Sequence, residues 1–195
     1  MPLSIPVSIP ERAQLAQSFG RMRNPQLLPG RMATATNASA RVAGQLLSIP
    51  FAVYGQEKYD QLAMRVTTGV AGGLYQFGIY AGRSPDGLPG DAIVRSAEFS
   101  GAASNVESIL PLNNFVLNRG VYHFVVLCNA ALVFRGFASA DQEQIFGPSS
   151  TNASAGVNRF ERTFAYAPLP SNFGTSGLVQ ASGILGNPGF YVRDA

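Results

Sequence analysis

An all-β fold, an antiparallel sandwich, is what this sequence predicts, and three observations predict it. The 21 glycines and 13 prolines are spread along the chain rather than gathered in one tract, which suits many short strands joined by turns. Thirteen Phe and seven Tyr, with no Trp, are residues that favour strands and bury large areas. From residue 41 onward, runs that alternate apolar and polar residues are separated by turn signals roughly every 8–14 residues. At 195 residues the chain is long enough to bury a full core without disulfides.

Residues 1–40 follow another pattern. Pro2, Pro6 and Pro10 lie four apart and enforce extended backbone. Ser8 and Glu11 match a capping box, Leu15 and Phe19 would share one helix face, and Gly20 can end the turn. One short helix is expected over 9–19. Pro25, Pro29, Gly30 and the small polar run 33–39 follow. This segment is too poor in apolar residues to form its own core. It reads as an arm, ordered by packing on something else. The expected division is therefore a 1–40 arm and a 41–195 sandwich.

The strands are expected in this order. Residues 45–54 form the first, with Pro50 suggesting an edge position. Residues 59–67 place Leu62, Met64 and Val66 on one face and Gln61, Arg65 and Thr67 on the other. A Gly-rich turn leads to 74–81, where Tyr75, Phe77 and Ile79 share a face. Residues 84–90 are a turn by composition. Strands at 92–99 and 106–112 follow. Residues 121–128 are apolar on both faces and belong at the centre of a sheet. Strands at 132–137 and 160–166, a loop at 139–158 and a terminal strand at 189–193 complete the series. About eight such strands argue for a sandwich of jelly-roll type.

Charge narrows the class of function. Only 13% of residues are charged, against 46% hydrophobic, about half the charged share of an ordinary soluble domain. A folded chain so poor in charge often hides surface against partners. Of 14 basic and 11 acidic side chains, residues 1–41 hold Arg12, Arg21, Arg23, Arg31 and Arg41 against Glu11, a net of +4. The other 154 residues hold nine basic and ten acidic groups, a net of −1. Five arginines are sparse for nucleic acid, so an acidic protein surface is the expected partner of the arm. Its candidate contact residues are Arg12, Leu15, Phe19, Arg21, Arg23 and Arg31.

Chemistry-bearing residues are few. His123 is the one histidine and Cys128 the one cysteine, too few for a zinc site and unable to form an intrachain disulfide. By strand parity they lie on opposite faces, which separates a Cys–His pair. A packed or hydrogen-bonded His123 is the expected state. Asp86, Asp91, Asp141 and Glu143 are loop carboxylates, read as solvated rather than as a calcium site. Tyr54, Tyr59, Tyr80 and Tyr166 would stack on sugars if exposed, although cross-strand packing is the commoner role. Residues 1–10 do not read as a secretory leader, and neither a phosphate-binding loop nor a membrane span is expected from the sequence pattern. The expectation is a protein without enzymatic activity or cofactor, made in a cytoplasm.

Three stretches then resemble a known module. Residues 59–68 (YDQLAMRVTT), 77–80 (FGIY) with 87–90 (GLPG), and 118–126 (NRGVYHFVV) are similar to a strand-and-turn pattern common in tail and minor structural proteins of tailed bacteriophages. Tyr166-Ala167-Pro168-Leu169-Pro170 and Val192-Arg193 resemble its closing part. The likeness runs from about residue 42 to 195, with His123 where the module has Trp, and it leaves the arm outside. It implies a jelly-roll virion component, such as a capsid cement or decoration protein or a small tail protein. Its partners would be capsid or tail subunits and copies of itself, as a trimer, and its place the virion. A receptor- or carbohydrate-binding module at a fibre or baseplate tip, with a host-surface glycan as partner, is the alternative.

Overall fold

The computed structural model describes residues 26–28, 35–37, 40–137, 159–181, 187–188 and 190–194. They form fourteen strands and no helix. In chain order these are β1 (Gln26–Leu28), β2 (Ala35–Asn37), β3 (Gln45–Val53), β4 (Glu57–Thr68), β5 (Leu74–Gly82), β6 (Pro89–Arg95), β7 (Phe99–Ser100), β8 (Val106–Leu117), β9 (Gly120–Cys128), β10 (Val133–Phe137), β11 (Arg159–Thr163), β12 (Val179–Ala181), β13 (Asn187–Pro188) and β14 (Phe190–Asp194). The helix expected over 9–19 and the loop expected at 139–158 lie outside the described residues.

Two antiparallel sheets result. In the first, β4 is flanked by β8 along one side and by β14 and β10 along the other; β1 joins β14, and β2 and β13 join β10. The second runs β12-β11-β3-β9-β5-β6, with β7 also on β5. Two short stretches of the first 40 residues, β1 and β2, thus contribute strands to the first sheet.

The sheets face each other across one core, so the expected sandwich is observed. Leu47, Ile49, Phe51 and Val53 from β3, Tyr75, Phe77 and Ile79 from β5, and Phe124, Val126 and Cys128 from β9 meet Leu62, Met64 and Val66 from β4, Leu112 and Leu117 from β8, and Phe134 from β10. Alternation along each strand is what sends these residues to one side. β9 lies between β3 and β5, paired with both along its length, as a strand apolar on both faces should be. Pro50 sits in the half of β3 that β11 does not reach, since β11 pairs only with Gln45–Ser48. Among the described residues no strand pairs with that side of β3 at Pro50, and an unpaired side is where a strand tolerates proline.

The strand expected at 92–99 ends at Arg95, with β7 separate, and the one expected at 160–166 ends at Thr163; two further boundaries differ for identifiable reasons. β8 continues to Leu117 because Asn113 and Asn114, at φ 50° and 65°, form a bulge instead of a stop. Across it β4 advances from Tyr59 to Gln61 while β8 steps from Phe115 back to Pro111, and asparagine is among the residues that tolerate this backbone. β6 begins at Pro89 because the Pro-Gly pair that reads as a turn is already paired with β5 at Gly82.

Candidate functional site

The outer face of the second sheet carries three of the six buried polar side chains of the described residues, Ser48, Gln76 and His123. Strand parity that sends Leu47, Ile49 and Phe51 inward sends Leu46 and Ser48 outward. On β5 it does the same with Gln76 and Tyr80, and on β9 with His123, Val125 and Leu127. All of these are buried. The segment 164–178 covers them: Leu169 and Phe173 pack on Leu46, Tyr80, Val125 and Leu127, flanked by Phe164, Tyr166 and Leu178. The second sheet is therefore covered on both sides.

This strap is fixed by hydrogen bonds because its backbone is not in a ladder and its polar groups need partners. Gln76 acts as a surrogate peptide. Its Nε2 donates to Ala167 O at 3.1 Å, and its Oε1 accepts from Leu169 N at 3.0 Å. Tyr80 donates to Pro170 O (2.6 Å) and Arg95 to Leu169 O (2.7 Å). Backbone bonds join Ala92 to Ser171 and Phe173 to Gly90. The Arg162 guanidinium lies 5.0 Å from the Phe164 ring and 5.6 Å from the Phe173 ring, a cation–π contact with both. Gln76→Leu is expected to lower stability by about 1–3 kcal/mol, because the buried Leu169 N–H loses its partner. Urea titration checks the magnitude, and faster amide exchange at Leu169 checks the location.

His123 is fully buried in this layer. Its Nε2 is 2.8 Å from Gly87 O and its Nδ1 is 2.8 Å from Ser48 Oγ, with Phe160 edge-on at 5.7 Å between ring centroids. A carbonyl can only accept, so Nε2 carries the proton and the Nδ1 lone pair accepts from the Ser48 hydroxyl. Burial pushes the His123 pKa down to about 4, and the Gly87 hydrogen bond opposes this only in part. The ring is neutral at pH 7. A serine hydroxyl donating to a neutral imidazole has the polarity of a nucleophile–base pair. Yet Ser48 and His123 are both 0% exposed, so no substrate atom can approach either. The pair is a packing and hydrogen-bonding element.

Cys128 lies on the other side of β9, in the core between the sheets. Burial pushes its thiol up to about 11, so it is a neutral core side chain. The parity separation of Cys128 from His123 holds.

The remaining sequence candidates fall as follows. Tyr59 and Tyr80 are buried, which removes them from the set offered for sugar stacking. Tyr59 packs in the core and donates to Glu57, and Tyr80 holds the strap. Tyr54 is 56% exposed, and half-buried Tyr166 donates to Glu98 at 2.9 Å. Asp86 pairs with Arg83 and Asp91 accepts from Asn172 Nδ2 at 2.7 Å. Among the described residues no group of three or more His, Cys, Asp or Glu could hold a metal ion. None of the described helices, since there are none, could span a membrane. Arg12, Leu15, Phe19, Arg21, Arg23, Arg31, Asp141 and Glu143 lie outside the described residues.

Sequence reasoning did not find the surface that stands out most. β8 has only β4 as a described sheet neighbour. Its face away from the core presents Ile109 at 44% exposure, Pro111 and Val116 at 42%. The cross-strand partners there are Ala63, Gln61 and Lys58 of β4. Alternation in 106–112 was legible, but the Asn113–Asn114 bulge concealed that Val116 belongs to the same face. No family model matches this chain, and no curated protein matches it.

Proposed function

We propose that this chain is a non-enzymatic structural component of a tailed-phage virion, either a capsid cement or decoration protein or a small tail protein. It is built on a jelly-roll sandwich, assembles as a homotrimer and attaches through residues 1–40. The virion assignment rests on the strand-and-turn resemblance over residues 42–195. The jelly-roll reading is supported by connectivity, since β3, β4, β5, β8, β9, β10, β11 and β14 belong alternately to the second and first sheets, the winding expected when paired strands roll together.

The observation that carries the assembly reading is the apolar outward face of β8. A strand that is an edge among the described residues, with exposed Ile109, Pro111 and Val116, is a surface that assembly proteins cover, and closed symmetry is the usual way copies cover one another. The chemistry-bearing Ser48, His123 and Cys128 are buried, and so are two of the four tyrosines offered for glycan stacking, Tyr59 and Tyr80, which lends support to the assembly reading.

Cryo-electron microscopy of purified particles tests the assignment: density for this chain on a capsid or tail subunit supports it, and its absence from the particles overturns it. For the isolated full chain, multi-angle light scattering is expected to give a trimer. The double variant Ile109→Lys, Val116→Lys is expected to shift the mass to the monomer with stability changed by no more than about 0.5 kcal/mol, the range for exposed positions. A wild-type chain that stays monomeric at high concentration would defeat the homo-oligomer.

A further inference from the structure

β4 and β8 lie side by side, and alternation sends every second residue of each to the outside of the first sheet. Opposite one another there stand Gln61 and Pro111, Ala63 and Ile109, and Arg65 and Glu107. The first two pairs are uncharged, and the third joins opposite charges. Past the bulge, Lys58 and Val116 continue the face at its far end. Residues directly opposite on antiparallel strands have Cβ atoms about 4.5–5.5 Å apart, near enough for Arg65 and Glu107 to bond. They do not. Among the described residues neither makes an ion pair or a hydrogen bond, with the other or with a third group. The two side chains part: Arg65 is half-buried and its Nε is covered without a partner, whereas Glu107 is exposed.

We propose that Arg65 and Glu107 bind across copies of this chain: the Arg65 guanidinium of one copy takes the Glu107 carboxylate of the next, beside the apolar contact made by Ile109.

A guanidinium covered at Nε has given up part of its hydration and gained no acceptor in exchange. A carboxylate at its terminal nitrogens makes this good. Glu107 stands exposed on β8, which has no described strand on its far side. The patch therefore carries both signs next to Ile109 and Pro111, and a patch with both signs is complementary to itself. That favours a second copy over a foreign subunit. An acidic partner would answer Arg65 but repel Glu107, and a basic partner would do the reverse. Around the axis of a closed ring the same patch of successive copies converges, so each Arg65 meets a Glu107 and neither charge is left over. The charged pair fixes the register of the contact, and the apolar stripe supplies most of its energy. The pairing rests on the homo-oligomer reading, since it exists only where copies meet on β8.

The test is sedimentation equilibrium of the full chain with charge reversals. Arg65→Glu leaves two acids in each patch, and Glu107→Arg leaves two bases. Each single variant is expected to raise the dissociation constant of the oligomer by at least about tenfold. The double variant Arg65→Glu, Glu107→Arg is expected to return to within about threefold of wild type. A mixture of the two single variants, one patch acidic and the other basic, is expected to associate more tightly than either alone, which a pairing inside one chain would not produce. Salt at about 1 M should bring the constants of wild type and single variants closer together. Circular dichroism shows whether each variant keeps its sheets. If a reversal does not fold, Arg65→Gln and Glu107→Gln replace it, and the double neutral variant is expected to lose no more than either single one. A wild-type chain that is monomeric overturns both the pairing and the homo-oligomer. The pairing alone is overturned by an oligomer whose dissociation constant the reversals leave unmoved, by a mixture no tighter than its components, or by neutral losses that simply add.

Discussion

Gly78→Val is expected to prevent the second sheet from forming, and Gly78→Ala to lower stability by at least about 3 kcal/mol. Gly78 lies in β5 between Phe77 and Ile79, paired with Val125 on one side and Arg95 on the other. Its missing side chain would point to the outer face, beside Gln76 and Tyr80. β6 does not leave that space free. It slips register against β5 between Ile79 and Tyr80, and this brings its backbone across the strand. A Cβ on Gly78 would lie 2.3 Å from Val94 O and 3.2 Å from Arg95 Cα. Both contacts are to main chain, so no rotamer change relieves them. One strand must move, and with it either the ladder to β6 or the fit of Phe77 and Ile79 in the core. Gly55→Ala is the control: a Cβ there meets nothing within 4 Å, and the expected change is within about 0.5 kcal/mol. Chemical denaturation of both alanine variants, with circular dichroism of the valine variant, checks the contrast. Equal stabilities for the two alanine variants would show that β6 gives way freely at Gly78.

How much of this was legible in the sequence depends on what a period-2 pattern can carry. Leu62, Met64 and Val66, and Tyr75, Phe77 and Ile79, were assigned to the core by alternation alone, and all are 0% exposed. The same rule separated His123 from Cys128. Alternation says which residues share a face but not what covers it. Val125 and Leu127 showed that β9 is buried on its outer side, yet the cover is the irregular 164–178 segment, whose Leu169 and Phe173 have no periodicity to announce them. Tyr80 was offered as exposed for that reason. The Ser48–His123–Gly87 chain was equally invisible, because it joins three elements distant in sequence through side-chain and carbonyl geometry. Bulges hide in a similar way. Asn113-Asn114 and Pro89-Gly90 have the composition of turns, and only their strand pairing shows that they continue a strand.

Phe77→Ala is expected to lower stability by about 3–5 kcal/mol, the range for removing a buried ring. Phe77 stands at the middle of the aromatic layer between the sheets. Its ring stacks on Phe99 at 5.3 Å between centroids, and Tyr75 and Phe124 lie at 6.2 Å on either side. Tyr75 in turn meets Phe134 of the opposite sheet edge-on at 5.2 Å. Truncation removes the apolar area of the ring and leaves a void that its neighbours can only partly fill. They cannot close in because β5 is held between β9 and β6, so the cavity cost adds to the transfer cost. It also removes the stacking with Phe99 of the two-residue β7, which is left with the Tyr75 ring at 5.8 Å. The loss should therefore spread: the pairing of Leu74 with Ser100 and of Tyr75 with Phe99 is expected to weaken with it. Phe77→Leu keeps most of the volume and is expected to cost less, under about 2 kcal/mol. Thermal or urea unfolding ranks the two variants, and amide exchange at Phe99 and Ser100 reads the loosening of β7. A Phe77→Ala variant as stable as Phe77→Leu would mean that the sandwich collapses onto the cavity, and that the aromatic layer contributes area rather than fixed packing.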